Sequence, residues 1–371
     1  MLLKKIEIFK YRLPLKNPLH LGDYKLEHRE GALIALQTDD GFCGWGEAAP
    51  LPGFPGWSPN FLNHNSQKLI GGLTNMPLGK LRLSLESRRD FSPAIFFALH
   101  SAVLSLASRT AGVSPHQLLS PVAPSSLSLC ALIDGSPESR IRGTAKAASQ
   151  GYKTIKLKVG RDDLKTDIET VGRAMDKLSP SMKLRLDANQ AWSPEETLQF
   201  CNAIPTEQIE FLEEPTWDSY QLPMIQEKTG IPCAVDETLQ QLSHCLYKDE
   251  SEGADPQIIK LRAMAEETKV WVWKPSLCYP PHLLGMKGSN PIVLSSAYES
   301  GVGTAAILYY AAAFSESRFA AGIDSYSRLA EDVLTDMLPI IDSPTISLRS
   351  IDSLRGSVKM NSLKPYPLCV T

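Results

Sequence analysis

The chain has no excess of either charge. Thirty-eight Lys and Arg stand against 41 Asp and Glu, a net charge of -3. So balanced a surface has no field to draw in nucleic acid or an anionic membrane, and neither is expected as a partner. Closely spaced cysteine pairs are also missing. The seven cysteines, at 43, 130, 201, 233, 245, 278 and 369, stand singly. That excludes short-spaced zinc motifs and, with the odd number, a complete disulfide framework. The histidines at 20, 28, 64, 100, 116, 244 and 282 show no metal spacing and read as surface or structural groups. No signal-peptide core opens the chain, because Lys4 and Lys5 interrupt a strand-like alternation. No apolar run approaches membrane-spanning length, and there is no internal repeat or low-complexity tract. These absences lead to the expectation of a globular protein in a reducing cytoplasm. They do not select between monomer and homo-oligomer.

What is present is ample core material. With 371 residues, 43% hydrophobic and 21% charged, the chain can build two structural units. Lys4 to Arg12 alternates, Ala32 to Thr38 reads as a strand, and Asp39-Asp40-Gly41 is a tight turn leading to Phe42 to Glu47. Pro50 to Pro59 is a loop rich in proline and glycine. Phe91 to Ala111, with only Arg109 charged, reads as a buried helix. The prolines between Pro115 and Ser126 mark a boundary.

From Leu127 the texture changes. Strand-like runs at 127–133, 154–159, 183–187, 209–213, 231–236, 270–274, 291–295 and 319–323 alternate with helical stretches at 138–150, 163–178, 194–203, 219–229, 238–249 and 303–315. Ser193-Pro194-Glu195-Glu196 opens its helix with a cap, proline in the first turn and acid behind it. Eightfold strand-helix alternation predicts a parallel sheet closed into a (β/α)8-type barrel, an α/β fold. Residues 250–269 exceed what one crossover needs, and 275–290 leave room for only a short helix. The expected division is an α+β capping unit over 1–125, a barrel over 126–335, and a segment over 336–371 that returns to the cap.

Asp187, Glu213 and Asp236 each end a barrel strand, 26 and 23 residues apart, about one strand-helix unit each. A strand end has no use for a bare buried carboxylate without a partner or a metal. Singly, each acid is more often a solvated loop residue; three in register point to one site. Carboxylates with no thiol or imidazole beside them favour a hard cation, Mg²⁺ before Mn²⁺. Lys156 and Lys158, two apart on one strand, share a face. Ile155, Leu157 and Val159 suit the helix side, so both lysines point into the barrel. A lysine near a cation and partly desolvated has a lowered pKa and becomes a competent base. For a second lysine across the barrel, Lys274 has the clearer strand before it and Pro275 after it. Lys260 has the more regular spacing from Asp236, 24 residues. Lys274 is preferred, with Lys260 the rival. Lysine, metal and lysine suit removal of a proton α to a carboxylate.

These residues resemble the enolase superfamily and its muconate-lactonising subgroup. The shared pattern is Lys156-x-Lys158, Asp187-Ala188-Asn189, Glu213-Glu214-Pro215 and Asp236-Glu237, in that order. Within the subgroup the chain most resembles the o-succinylbenzoate synthase family, along its whole length. That likeness rests on Gly44-Trp45-Gly46-Glu47, Pro50-Leu51-Pro52-Gly53-Phe54, Lys274-Pro275-Ser276-Leu277, Ser295 to Ser300 and Gly322-Ile323-Asp324. It implies Mg²⁺-dependent syn dehydration of 2-succinyl-6-hydroxy-2,4-cyclohexadiene-1-carboxylate, in menaquinone biosynthesis. By the same likeness Lys158 would be base and then acid, Lys274 would stabilise the enediolate, and Lys156 would assist. Asp187, Glu213 and Asp236 would hold the metal, and Asn189 would orient around it. Ser295 and the backbone at Gly322 would lie against the succinyl group, and the 50–57 loop would close the mouth. The chain departs from the family after Leu277, where Cys278-Tyr279-Pro280-Pro281 replaces a glycine-rich turn.

Racemisation of N-succinylamino acids or epimerisation of dipeptides would use the same two lysines, both as bases. A barrel that only binds an acidic ligand is the remoter reading, since it has no need of every ligand and lysine. Glu47 reads as a brace for the cap rather than a catalytic acid, and Trp271 and Trp273 as packing residues.

Overall fold

Alternation at the start of the chain produces two long strands. β1 (Leu3–Leu21) and β2 (Tyr24–Thr38) pair antiparallel, and β3 (Cys43–Ala48) adds to β2 across the Asp39–Gly41 turn. Helix Pro93–Ala111 lies on this sheet so closely that β3 tolerates no side chain at two positions. A Cβ on Gly44 would sit 2.2 Å from the Ala102 carbonyl oxygen, and one on Gly46 only 1.8 Å from that of Ala98. This explains the Gly44-Trp45-Gly46 spacing. By length and composition alone the helix could cross a membrane, against the expectation that no run could. It is instead largely buried as the core of the cap.

The computed structural model describes residues 1–55, 57–62, 73–86, 88, 90–248, 255–354 and 356–367. His64, Cys369, position 56 of the proline-rich loop and residues 249–254 lie outside these.

After the short strand β4 (Ser126–Ser128) come seven parallel strands, paired in chain order. They are β5 (Cys130–Ile133), β6 (Thr154–Lys158), β7 (Lys183–Asp187), β8 (Ile209–Glu213), β9 (Cys233–Val235), β10 (Val270–Trp273) and β11 (Ile292–Leu294). The expected eighth strand at 319–323 is reduced to isolated bridges, yet it still joins the two edges. Cys130 N–H donates to Ala321 C=O at 3.0 Å on one side, and Gly322 N–H to Leu294 C=O at 2.9 Å on the other. The architecture is a (β/α)8-type barrel with an antiparallel capping unit.

Helices Pro137–Ser149, Leu164–Met175, Pro194–Ala203, Leu222–Thr229 and Gly301–Phe314 cover the barrel. Ser193 forms a full capping box with Glu196. The connection from β9 to β10 holds two helices, Glu237–Lys248 and Pro256–Glu267. That from β10 to β11 keeps only a single turn, Pro281–Leu284. Toward the end of the chain β12 (Thr345–Ser347) pairs with β4, and β13 (Lys364–Tyr366) pairs with β1.

Glu47 joins the two units. Fully buried at the end of β3, it accepts from Tyr11 Oη at 2.5 Å and from the backbone N–H groups of Ser300 and Gly303, each at 2.8 Å. A carboxylate of the cap thus satisfies the N-terminus of barrel helix Gly301–Phe314.

Candidate active site

Strand register sets the site. Lys158 on β6 pairs with Asp187 on β7, and Asp187 with Glu213 on β8; Asp236 follows β9 directly. Because pleat and register agree, these groups form one layer at the C-terminal mouth of the barrel, where β/α barrels place their chemistry. Lys274 reaches the same layer from the end of β10.

The layer is a chain of charge. Lys156 Nζ lies 2.7 Å from both oxygens of Glu213 and 2.7 Å from Asp187 Oδ2. Lys158 Nζ lies 2.6 Å from the same Asp187 oxygen and 2.7 Å from Asn189 Oδ1. Lys274 Nζ pairs with Asp236 Oδ2, whose other oxygen accepts from Gln240 Nε2 at 2.9 Å. Asp187, Glu213 and Asp236 are all buried.

Burial and charge compete at each group. Burial would raise Asp187, but Lys156 and Lys158 outweigh it and hold the carboxyl well below its usual range. Glu213 goes the other way, pushed up to about 7 by burial and by Asp187. Burial would lower Lys156, but Asp187 and Glu213 raise it above the ordinary lysine range, and Asp236 does the same for Lys274. The lowered lysine pKa expected from the sequence is therefore not what these carboxylates produce at Lys156 and Lys274.

Among the described residues no three acidic, thiol or imidazole groups stand together in ligating geometry, since Lys156 lies between Asp187 and Glu213. The donor set nevertheless fits a hard divalent cation. It is all carboxylate. Glu213 is raised partly by repulsion from Asp187 and Asp236, which a cation relieves, and the neighbouring Glu237 Oε2 and Gln240 Oε1 are buried with no hydrogen-bond partner among the described residues.

The rival lysine is elsewhere. Lys260 lies on helix Pro256–Glu267, exposed, its Nζ 4.6 Å above the Tyr220 ring. The regular spacing from Asp236 therefore does not mark a strand end, because Lys260 follows the first turn of a helix. Asp255 caps the helix by accepting from Gln257 N–H at 2.7 Å, and Ile258, Leu261, Met264 and Ala265 form its buried face.

Two acids were missed. Glu214, fully buried at φ 37°, accepts from the backbone N–H groups of Asp236 at 3.0 Å and Thr238 at 2.8 Å, and so anchors the end of β9. Glu237 is raised well above the carboxylate range by burial and by Asp236, and accepts from Asn189 Nδ2 at 2.9 Å. Both stand beside residues that were singled out, in Glu213-Glu214 and Asp236-Glu237, and adjacency was their only signal.

Above the layer opens a cavity of about 780 Å³, lined by Lys156, Lys158, Lys274, Asn189, Ser295 and Gly322 on the barrel side. Its cap side is formed by the 18–24 turn of β1 and β2 with Leu51, Gly53 and Phe54. Gly322 has both backbone groups engaged in closing the barrel: its N–H donates to Leu294, and its C=O accepts from Ser296 N–H and from Ser295 Oγ at 3.0 Å. What it offers a ligand is room, since a Cβ there would sit 3.0 Å from Ser295 Oγ. Trp271 and Trp273 are buried outside this cavity, Trp273 stacking on Tyr310.

Family models match in two places, "Enolase C-terminal domain-like" over residues 140–248 and "MenC, N-terminal domain" over 3–105. The o-succinylbenzoate synthase of Aliivibrio salmonicida is 30% identical over 303 residues, covering 81% of this chain and 84% of that one. The chain belongs to the o-succinylbenzoate synthase family. It is accordingly a carbon–oxygen lyase of the hydro-lyase class. A member from Haemophilus influenzae is 28% identical, with 94% of this chain and 97% of the other covered. Protein PHYLLO of Arabidopsis thaliana is 27% identical, but this chain spans only 22% of its length. Among solved structures, a dipeptide epimerase from Enterococcus faecalis complexed with Mg and a dipeptide has a TM-score of 0.79 at 20% identity, with 98% of this chain and 100% of the other covered. An N-succinyl Arg/Lys racemase from Bacillus cereus has a TM-score of 0.74 at 19% identity, covering 99% and 100%. At those identities the family's fold is shared and nothing finer follows.

Proposed function

We propose that the protein dehydrates 2-succinyl-6-hydroxy-2,4-cyclohexadiene-1-carboxylate to o-succinylbenzoate, a step of menaquinone biosynthesis, with Mg²⁺ before Mn²⁺ as its cofactor. One observation carries this reading: Lys158 and Lys274 enter one cavity from different strands, with three buried carboxylates between them. Held by Asp187, Glu213 and Asp236, a divalent cation would supply positive charge to the ring carboxylate and so acidify the adjacent C–H.

Lys158, as the neutral amine, takes the proton from C1 of the ring. The electron pair left behind forms the new ring double bond as the C6–O bond breaks. The departing hydroxide takes the proton back from the Lys158 ammonium and leaves as water. One residue serves both transfers, which makes the elimination syn. Lys274, held charged by Asp236, stabilises the negative charge that develops on the carboxylate. Lys156 keeps Asp187 and Glu213 in place. Asn189 bridges Lys158 and Glu237 and orients the base. Ser295 and Gly322 shape the wall for the succinyl arm, and Leu51 and Phe54 of the 50–57 loop cover the mouth. The six described cysteines are all free, which supports a reducing cytoplasm as the setting.

The test follows the diene absorbance of the substrate with Mg²⁺. Wild type should consume it. Lys158→Ala and Lys274→Ala should each lose about 10²- to 10⁴-fold in rate, the range for a positioned acid–base or charge-stabilising group. Undiminished turnover by Lys158→Ala would sink the mechanism. A racemase or epimerase would instead use both lysines as bases, so solvent deuterium would enter the α-carbon of an N-succinylamino acid or dipeptide.

A further inference from the structure

The cavity wall carries five long cationic side chains, Lys156, Lys158, Lys274, Arg161 and Arg328. Four are matched within the protein. The lysines hold Asp187, Glu213 and Asp236, and Arg161 Nη1 lies 2.9 and 3.1 Å from the two oxygens of Asp134. Arg328 is not matched: among the described residues its guanidinium has no ion pair and no side-chain hydrogen bond. Asp324, at the start of the same turn, accepts instead from the backbone N–H of Leu132 at 2.8 Å. Arg328 is half-buried, with Asp324 and Tyr298 close enough to feel its charge.

Its support is rigid. Arg328 ends the turn Asp324–Arg328, which directly follows the Gly322 closure of the barrel. On either side Tyr326 and Leu329 are fully buried, Tyr326 Oη donates to Asp332 at 2.6 Å, and Ala330 N–H donates to Pro14 of the cap at 2.9 Å. A guanidinium held at the seam of two units, half out of water and without an ion pair among the described residues, is arranged for an anion from outside. Its planar donor fork matches a carboxylate.

We propose that Arg328 receives the carboxylate at the far end of the substrate and thereby selects dicarboxylates over monocarboxylates. This rests on the function proposed above. That substrate has two carboxylates, one at the ring, beside the lysines, and one at the tip of the succinyl arm. The wall made by Ser295 and Gly322 leads toward the turn that carries Arg328. Arg328 is thus a specificity determinant with no part in moving the proton.

The test compares the diacid with its analogue esterified at the succinyl carboxylate, using the full chain as wild type, Arg328→Gln and Arg328→Lys. In Arg328→Gln the KM for the diacid should rise about 10- to 100-fold, the range for one charged hydrogen-bonded contact, with kcat little changed. KM for the ester should be the same in both proteins, and Arg328→Lys should recover part of the loss. Equal losses on diacid and ester, or no loss on either, would overturn the proposal. A calorimetric titration with o-succinylbenzoate and its monoester reads the same contact without turnover. There, equal diacid affinity in wild type and Arg328→Gln would overturn it as well. A wild type that binds the diacid through Arg328 but never consumes the diene would overturn the proposed reaction and leave this contact standing.

Discussion

Lys156 and Lys158 stand two residues apart and face the same site, yet their removal should have different consequences. Glu213 is buried and its carboxylate has one side-chain partner among the described residues, Lys156, which meets both oxygens at 2.7 Å. Lys156→Ala strands that carboxylate. Removing one member of a buried ion pair costs about 3–5 kcal/mol of stability. Asp187, the partner of Lys158, keeps Lys156 at 2.7 Å and the Asn189 N–H at 3.1 Å when Lys158 is removed. Lys158→Ala should therefore cost about 1 kcal/mol, a single hydrogen bond's worth.

The two variants should also differ with pH. Glu213 is already pushed up to about 7 by burial and by Asp187, and loss of Lys156 raises it further. A carboxyl raised in the folded state binds more protons there than in the unfolded chain, so stability falls as pH rises through the interval between the two values. The deficit of Lys156→Ala should grow from pH 6 to pH 8, while that of Lys158→Ala should stay nearly flat. Urea unfolding at several pH values, read by far-UV circular dichroism, measures both. Equal destabilisation of the two variants with parallel pH dependence would refute the assignment of Lys156 as the counter-charge of Glu213.

Three further outcomes follow from the geometry. Lys260→Ala should retain full activity where Lys274→Ala loses it, because Lys260 lies exposed on a helix against Tyr220; steady-state kinetics with the diene decides this. His100, stacked on Phe96 at 4.1 Å, has its pKa lowered by burial. Its contribution to stability is complete above the ordinary histidine value and is lost as pH falls below it, so Tm should drop below about pH 6.5 less steeply in His100→Gln than in wild type. Gly46→Ala should fail to form a stable cap, since its Cβ would sit 1.8 Å from the Ala98 backbone oxygen; soluble yield and Tm report the loss.

Much of the barrel is legible in the chain itself because most of its strands are short apolar runs ended by charge and five of its helices begin with a side-chain cap. Where local signals conflicted, the chain alone left alternatives open. Spacing from Asp236 kept Lys260 as a rival, but Asp255-Pro256 is a helix start and the apolar residues that follow recur at helical spacing. The segment 319–323 was read as a regular strand, though only Ala321 and Gly322 bridge the neighbouring edges. Glu214 and Glu237 passed unnoticed because nothing local distinguishes a buried acid from a solvated one.

The sequence by itself determined the α/β class, the order of the strand-end acids and lysines, and the shared face of Lys156 and Lys158, since these follow from periodicity and chain order. Only the tertiary structure decided which lysine joins Asp236, which lysine neutralises Glu213, and which arginine in the cavity wall has no ion pair among the described residues. Those are pairings between groups up to tens of residues apart. They depend on strand register and on the packing of cap against barrel, which no local pattern encodes.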